Sequence, residues 1–516
     1  MQDWDYVYRL INENLIEDIN EGNWTLLHWS CWNGNLELVK LLLSRYKSTI
    51  DINKQDSNGV TPLQNCLLFG EFEIFYLLFD QEEIDLGRLN SNEEGLFFIV
   101  CKRGLIDLFE LLIKDPRIDI SRPTSEGITP FFVACQKGYE RIVRTLLNDE
   151  RIDVNMETKS RLTPFFVACA SGQFQIFKLL ISDERVDVNK TQNDGVTPLF
   201  IASQNGFLDI VRVLLQDNRT EVDRPMDDGR TPFFIACQKG QLEIVQLFLS
   251  DERIELNRQM NDGRTPFYIA CQNGELEVVR LLLHDLRIDG NKKMNDGRMS
   301  IYIACANGYY EIVKLLIENE RININESAND GSIAFLIACQ NGYLEIIELL
   351  LHDQRTLVNK SMTDGRTPFF IACQNGHDKI VQLLLKDKRI NINQPMNDGR
   401  TPLWQASQNG HLNVIKYILE SDRRASLNDE WSGNQKTAIE QAKRMSVLGK
   451  QPWEKTDEEA EIRQKNCLKI ADLLDEFIKD EEKTKFKLRV ELGIFQSQAS
   501  DIFMLTVMLC DGYYNF

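Results

Sequence analysis

The stretch of residues 227–260, DDGRTPFFIACQKGQLEIVQLFLSDERIELNRQM, decides the fold, because the rest of the chain repeats its pattern. One glycine of every copy marks the period, which is 34 residues after a first interval of 36. A fixed period of this size predicts a stack of similar supersecondary units. We number the copies as repeats 1 to 12 by these glycines: Gly34, Gly70, Gly104, Gly138, Gly172, Gly206, Gly240, Gly274, Gly308, Gly342, Gly376 and Gly410.

Each copy predicts two short helices and a loop. Thr231 is a helix-capping residue, and Pro232 suits the first helical position because its missing N–H would have no partner there. Gly240 follows where a left-handed residue ends the helix. Residues 242–250 predict a second helix, with apolar residues at i, i+3 and i+4, and residues 251–263 predict a turn-rich loop. Helices of about ten residues are unstable alone in water, so each unit must bury its apolar faces against its neighbours.

This unit resembles the ankyrin repeat. The resemblance lies in the Thr-Pro start and the apolar residues up to alanine at 231–236, the turn glycine Gly240, the Leu-Glu-Ile-Val of 242–245, and a loop ending at Asn257. It implies an all-α solenoid of stacked helix-turn-helix repeats with projecting hairpin loops. In such a solenoid the first helices and the loop tips line a concave groove. The resemblance also implies a non-enzymatic scaffold or adaptor that binds a protein partner along this groove.

Two features depart from the family pattern. The histidine that usually follows Thr-Pro-Leu is kept only as His28, and we expect apolar stacking to replace its hydrogen bonds elsewhere. An Asp-x-Arg series, as in Asp251 to Arg253 and Asp387 to Arg389, follows the second helices and predicts exposed ion pairs between neighbouring units. The aromatic replacements of the histidine are Phe132, Phe166, Phe200, Phe234, Tyr268, Tyr302, Phe370 and Trp404.

An apolar patch is predicted at the start of the array. Placed on the repeat, Trp24 and Val60 lie at loop tips, and Trp32, Leu68 and Phe69 lie on the groove side of the first helices. Because these positions are mostly polar in later copies, the patch marks either a partner site or an intramolecular contact. The intramolecular occupant would be the N-terminal helix or the C-terminal apolar tail.

The later copies present an almost constant polar groove. Arginines recur at the loop tips and glutamines near the ends of the first helices. Either the copies arose by recent duplication without selection on the groove, or the ligand is itself repetitive and polar. The candidate partner-binding residues here are Arg230, Gln238, Arg264, Gln272, Arg298, Arg366, Gln374 and Arg400.

The loop residues Asn155 and Asn189 lie in segments that resemble the asparagine-hydroxylation motif of ankyrin proteins. Their alternative role is to tie the loops by side-chain hydrogen bonds.

Composition narrows the class of protein. A formal net charge of −19 disfavours nucleic acid and anionic membranes as partners, and no apolar run is long enough to span a bilayer. Nine of the twelve cysteines share one repeat position, where neighbouring helices are too far apart for a disulfide, so we expect buried thiols in a reducing cytoplasm. The five histidines are scattered, and no nucleotide-binding, hydrolase or zinc motif occurs. The sequence therefore predicts no catalytic residue, no cofactor and no metal site.

The repeats cover about residues 22–424, between segments with other patterns. Residues 1–21 predict an N-terminal capping helix, and residues 425–481 a degenerate capping repeat with a long helix. A capping box at Thr456 and Glu459 starts that helix. It runs to about Lys479, and the charged residues 479–487 then predict an exposed helix end or linker. The predicted apolar face of the long helix comprises Ile462, Leu468, Ala471, Leu474 and Ile478.

Residues 482–516 predict an apolar helical tail. Residues 499–509 are apolar on nearly all sides, and eleven residues are too few to cross a bilayer. They are therefore expected to be buried in protein, against the repeats or in a second chain. In the second case the protein would be a regulatory subunit or a structural element that self-associates through this helix.

Overall fold

The computed structural model describes residues 22–427 and 437–494. Within these ranges the chain forms 27 α-helices and no strand, which confirms the predicted all-α fold. The helices expected at residues 3–19 and 499–509 lie outside the described residues.

Each repeat begins with a short first helix. Thr367 shows how the sequence starts it: its hydroxyl accepts a hydrogen bond from Phe370 N at 3.1 Å, and Pro368 occupies the first helical position. Gly376 ends the helix with φ of 72°, in the left-handed region that disfavours a Cβ. The twelve first helices are Leu26–Trp32, Pro62–Phe69, Leu96–Arg103, Pro130–Lys137, Pro164–Ala170, Pro198–Asn205, Pro232–Gln238, Pro266–Asn273, Ser300–Asn307, Ala334–Asn341, Pro368–Asn375 and Pro402–Asn409.

A second helix follows each turn glycine. Its buried residues follow helical spacing, as Ile380, Val381 and Leu384 do in repeat 11, and its polar residues face solvent. The second helices are Leu36–Arg45, Phe72–Phe79, Ile106–Leu112, Glu140–Leu147, Phe174–Ile181, Leu208–Gln216, Leu242–Leu249, Leu276–His284, Tyr310–Glu318, Leu344–His352, Asp378–Lys386 and Leu412–Glu420.

The described residues form two compact units. The first runs to Glu255 without Cys237–Gly240, and the second contains Cys237–Gly240 and the residues from Leu256 onward. Within each unit the first helices of neighbouring repeats pack side by side, and the second helices do the same. Each short helix is therefore stabilised by its neighbours, as the period predicts.

The aromatic residues at the former histidine position are buried. Phe166 and Phe200, 4 % and 2 % exposed, pack with Val196 and Ile235 in one apolar cluster of the first unit. Of the eight replacements, only Trp404 is more than slightly exposed. Apolar packing thus replaces the hydrogen bonds of the histidine, as expected.

Asparagine side chains join successive loops. Asn155 Nδ2 donates to Arg185 O at 2.7 Å, and Asn155 Oδ1 accepts from Asp187 N at 2.9 Å. Asn189 makes the same two bonds one repeat later, to Arg219 O and Glu221 N. The loop-tying role predicted for these asparagines is confirmed, and hydroxylation stays a prediction.

The Asp-x-Arg prediction was wrong about which residues pair. The Arg185 guanidinium pairs with Asp183 of its own loop at 2.6 Å, and this hydrogen bond lowers the pKa of the Asp183 carboxyl. The link to the preceding repeat is a different bond, from Arg185 Nη2 to Leu147 O at 2.6 Å. The carboxylate therefore orients the arginine, and the arginine satisfies a carbonyl that the end of the preceding second helix leaves unpaired.

Three further helices follow the last repeat: Ala438–Val447, Asp457–Lys479 and Glu481–Glu491. Thr456 caps the long helix by accepting from Glu459 N at 3.2 Å, as predicted, whereas the Glu459 carboxylate bonds Lys455 N at 2.6 Å and not the N–H of Thr456.

The predicted buried face of the long helix was wrong in part. Ile462, Leu468 and Ile478 are each more than half exposed, while Ala471 and Leu474 are buried. The buried stripe is rotated around the helix axis relative to the predicted one. The prediction used apolar residues only, and the observed stripe also includes the charged residue Arg463. The buried residues are Ala460, Arg463, Cys467, Ile470, Ala471, Leu473, Leu474 and Phe477.

The expectation of an exposed helix end or linker at residues 479–487 was wrong for the second half of the run, although the long helix does end at Lys479 and residues 479–483 are exposed. Residues of this run begin the helix Glu481–Glu491, which buries Phe486 and Leu488. The helix packs against the second helix of repeat 12, where Arg489 pairs with Glu420 at 3.2 Å. Tertiary contact thus outweighs the solvent preference of the charged run.

Candidate protein-binding face

The exposed ends of the first helices form the candidate face. In repeat 11 the helix buries every residue from Pro368 to Cys373, and only Gln374 and Asn375 near its end reach solvent. The side chains just before each turn glycine are therefore the ones that this row of helices offers to a partner.

Repeats 1 and 2 carry aromatic side chains on this face. The rings of Trp24 and Trp32 meet edge to face with centroids 6.1 Å apart, and Trp32 meets Phe69 in the same way at 6.3 Å. Trp32 is 45 % exposed and Phe69 48 % exposed. We call Trp24, Trp32 and Phe69 the aromatic cluster; Leu68, 39 % exposed, adjoins it in sequence.

The cluster is held by polar contacts beneath it. The Trp24 indole N–H donates to Asp56 Oδ2 at 3.1 Å, which joins the tip of repeat 1 to that of repeat 2. His28 Nδ1 accepts from Thr25 N at 3.1 Å, so His28 Nε2 carries the proton and donates to Val60 O at 3.0 Å. Burial lowers the pKa of His28 and keeps the ring neutral. Trp24 is therefore held in place before a partner binds, which reduces the side-chain entropy that its part of the cluster loses on binding.

Val60 departs from the sequence expectation. Its side chain is only 8 % exposed, so it does not belong to the apolar surface. The physical reason is that its carbonyl bonds His28 and its N–H donates to Asp56 Oδ1 at 2.8 Å, which turns the residue into the interface of repeats 1 and 2. The aromatic cluster and Leu68 remain from the predicted patch.

The loop-tip arginines are oriented rather than free. Arg230, Arg264, Arg366 and Arg400 each pair with the aspartate two residues earlier at 2.6 to 2.7 Å. Arg298 makes a longer contact with Asp296, at 3.3 Å.

Aromatic rings support three of these guanidinium groups. The Arg230 group lies over Phe200 at 6.0 Å, that of Arg298 over Tyr302 at 5.4 Å, and that of Arg400 over Trp404 at 5.7 Å. Pairing and stacking leave each arginine a partly exposed, pre-positioned donor.

The predicted glutamines differ in how far they are engaged. Gln272 accepts a hydrogen bond from Arg264 of its own repeat at 3.5 Å, and Gln238 Oε1 is buried without a partner in the described residues. Gln374 lines a cavity together with Arg400. The structure thus brings arginine and glutamine together in some repeats, and it does not gather all predicted positions at one site.

That cavity is a feature that the sequence did not indicate. It has a volume of about 630 Å³ and lies between the first helices of repeats 11 and 12 and the long helix Asp457–Lys479. Its wall contains Trp453, 53 % exposed, and the Glu454–Arg463 ion pair at 2.6 Å, whose side chains are 5 % and 3 % exposed. A sequence signal that could have revealed the buried ion pair is the heptad spacing of the buried residues in the long helix, because Arg463 occupies one of the core positions.

In residues 22–427 and 437–494 no group of three or more His, Cys, Asp or Glu is placed to hold a metal ion. The same ranges contain no helix both long and apolar enough to cross a membrane. The described cysteines are free and buried, and burial raises the pKa of thiols such as Cys101 and Cys135. Such thiols are poor nucleophiles.

Comparison with known proteins agrees with this architecture. A family model described as ankyrin repeats in three copies matches residues 3–90, 150–226, 219–294, 286–361 and 335–430. A model of the single ankyrin repeat matches residues 126–159. No curated protein matches the chain. Since the matched segments cover well over half of the sequence and follow the observed helix pairs, the chain belongs to the ankyrin repeat family.

Proposed function

We propose that this chain is a non-enzymatic scaffold or adaptor whose partner binds the exposed ends of the first helices, with the aromatic cluster as the main anchor. Ankyrin repeats are protein–protein interaction modules, which supports a protein as the partner. The formal net charge of −19 supports a protein rather than a nucleic acid. Buried free thiols suit a reducing compartment, so the proposed location is the cytoplasm.

One observation carries the proposal: Trp32 and Phe69 expose nearly half of their surface on a face that is polar in most other repeats. Large aromatic side chains in contact with one another are the usual centre of a binding hot spot. Burial of these two rings against a partner would contribute hydrophobic free energy to binding. The polar glutamines and asparagines at the same positions in later repeats would not make this contribution. The hydrogen bond from Trp24 to Asp56 keeps part of this surface in place before the partner arrives.

The test compares partner capture by matched variants. Proteins recovered by the wild-type chain are quantified against those recovered by Trp32→Ala and Phe69→Ala, and binding of the purified partner is then measured by calorimetry. Each substitution should weaken binding at least about tenfold, as expected for a hot spot. The control is Phe72→Ala, which removes a somewhat less exposed aromatic ring (40 %) from the second helix of repeat 2.

Unchanged recovery with both cluster variants would remove the aromatic cluster from the interface. The alternative function, self-association through the apolar residues 499–509, lies outside the described residues and has its own measurement. Light scattering of the full chain and of a chain ending at residue 494 would show an oligomer that dissociates on truncation if the alternative holds.

A further inference from the structure

We propose that repeats 10 to 12 and the C-terminal helices form a second binding site, which takes the backbone of an extended peptide. The proposal takes the protein-binding role as given, but it concerns the second unit and does not involve the aromatic cluster. Its basis is the juxtaposition of the side-chain amides of Gln340, Gln374 and Gln408 with an apolar wall formed by Trp453 and Ile462.

The site is a trough made of two adjoining cavities. The cavity of about 630 Å³ lies against the long helix, and a second cavity of about 380 Å³ covers the first helices of repeats 9 to 11. Gln374 and Asn375 line both cavities, so one trough follows the row of first helices to the C-terminal helices. Volumes of this size are typical of ligand sites.

Side-chain hydrogen bonds from asparagine and histidine hold together the first helices that line the trough. Asn375 Nδ2 donates to Gln340 O at 3.0 Å, and Asn409 Nδ2 donates to Gln374 O at 2.8 Å. His411 Nε2 donates to Gln374 O at 2.9 Å. These bonds join each first helix to the next through backbone carbonyls, and they leave the glutamine side chains unused.

The glutamine amides are therefore available to a ligand. No hydrogen bond of the Gln340 or Gln374 side chain to another described residue is present, and Gln408 Oε1 is buried without a partner among them. A buried acceptor without a donor is unfavourable, which favours rotation of the Gln408 amide into the cavity that this residue lines. Each amide offers one acceptor and two donor hydrogens, which complements the N–H and C=O of a peptide.

The spacing of the glutamines matches an extended chain. Packed neighbouring helices lie about 8–10 Å apart, and a peptide in the extended polyproline II conformation advances about 3.1 Å per residue and presents every third residue to the same side. Every third residue of such a peptide therefore meets the next glutamine. Since neutral amides read the backbone and not the side chains, the glutamines impose register and direction but little sequence preference.

Side-chain preference arises at the C-terminal wall. Trp453 and Ile462 are 53 % and 54 % exposed and offer an apolar contact to one residue of the peptide. The adjacent Glu454–Arg463 pair holds this wall, because Arg463 also donates to Leu448 O and Gly449 O at 2.9 Å each. Because this apolar wall lies at one end of the row of glutamines, the site selects an extended peptide with an apolar residue at that end.

Peptide selection tests the proposal. Random dodecapeptides displayed on phage are selected on the full chain, and those that also bind the Gln374→Ala/Gln408→Ala double variant are discarded. The best peptide is synthesised with a fluorescein label, and its Kd is measured by fluorescence anisotropy. Trp453→Ala and Ile462→Ala should each raise the Kd about tenfold, and both variants are checked by thermal melting. N-methylation along the peptide should weaken binding at every third residue.

The controls separate this site from the rest of the chain. Gln382→Ala removes a glutamine from the second helix of repeat 11, and Trp32→Ala alters the aromatic cluster; both should leave the Kd unchanged. Four results would overturn the proposal: no peptide enriched over the counter-selection, N-methylation effects without a period of three, a Kd insensitive to Trp453→Ala and Ile462→Ala, or binding only after removal of residues 495–516. The last result would mean that the chain's own tail occupies the trough.

Discussion

Gly308→Ala tests whether the turn glycine serves the contact between repeats as well as its own backbone. Gly308 has φ of 78°, and a Cβ built on it would lie 2.6 Å from Cε1 and 2.8 Å from Cζ of the Tyr343 ring. Gly70 has φ of 85°, but its Cβ would have no heavy atom within 4 Å. Alanine at the two positions therefore separates the backbone effect from the packing effect.

The expected losses follow from these geometries. Alanine in the left-handed region costs about 1–2 kcal/mol, which is the whole effect at Gly70. At Gly308 the half-buried Tyr343 ring must also leave its place. Exposing about 40 Å² of apolar ring surface adds about 1 kcal/mol. We therefore expect a loss of about 2–3 kcal/mol for Gly308→Ala, combining both effects, and a coupling of about 1 kcal/mol with Tyr343→Ala in a double-mutant cycle.

The assay must report local stability, because long repeat arrays do not unfold in a single two-state step. Native-state hydrogen exchange measures the opening free energy of the helices Ser300–Asn307 and Leu344–His352, and of Pro62–Phe69 for Gly70→Ala. Equal losses at the two glycines would refute the packing role of Gly308. A double variant that loses the plain sum of the two single losses would refute it as well.

The other predictions concern the core, the loop arginines and the histidine of repeat 12. Phe369→Ala removes a ring that is 1 % exposed and should cost repeat 11 about 3–5 kcal/mol by hydrogen exchange; a loss under about 1 kcal/mol would contradict the burial. Arg355→Ala removes the 2.6 Å bond to Ile317 O and the pair with Asp353, and should cost about 1 kcal/mol after allowance for solvent exposure. Arg355→Lys should recover little of it, because one ammonium cannot replace the fork. Burial lowers the pKa of His411 below its ordinary 6.5, so its contribution to stability is full above pH 6.5 and is lost as the pH falls toward the lowered pKa. His411→Gln should flatten this loss when the opening free energy of the helix Pro402–Asn409 is measured by hydrogen exchange from pH 7.5 to 5, and an unchanged pH profile would contradict the assignment.

The repeat architecture could be predicted from the sequence because the residues that start, end and orient each helix act locally. Thr367, Pro368 and Gly376 act on the backbone within one turn of themselves, and the same letters recur in most repeats. The apolar spacing of the second helices also identifies their buried face. Such signals do not depend on which neighbour covers the helix.

The candidate binding site could be predicted from the sequence only in part. The sequence identified the apolar residues Trp32 and Phe69 by contrast with polar copies, and the structure places both at the surface. Val60 was misplaced because its burial depends on the bond between its carbonyl and His28, which is distant in sequence, and not only on the local bond to Asp56. The capping repeat predicted at residues 425–481 implied that the long helix lies against the last repeats, but the cavity that this contact leaves at repeats 11 and 12 was not predicted.

By itself the sequence determined the helix pairs, their caps and their stacking, since helices this short persist only when buried on their neighbours. Tertiary structure alone decided which side chains meet across repeats. It directs Arg185 to a carbonyl of the preceding repeat, buries Arg463 with Glu454, and turns the charged residues after Lys479 into a packed helix. The physical reason is that a polar side chain is buried only where a partner satisfies it, and that partner is supplied by another segment of the chain.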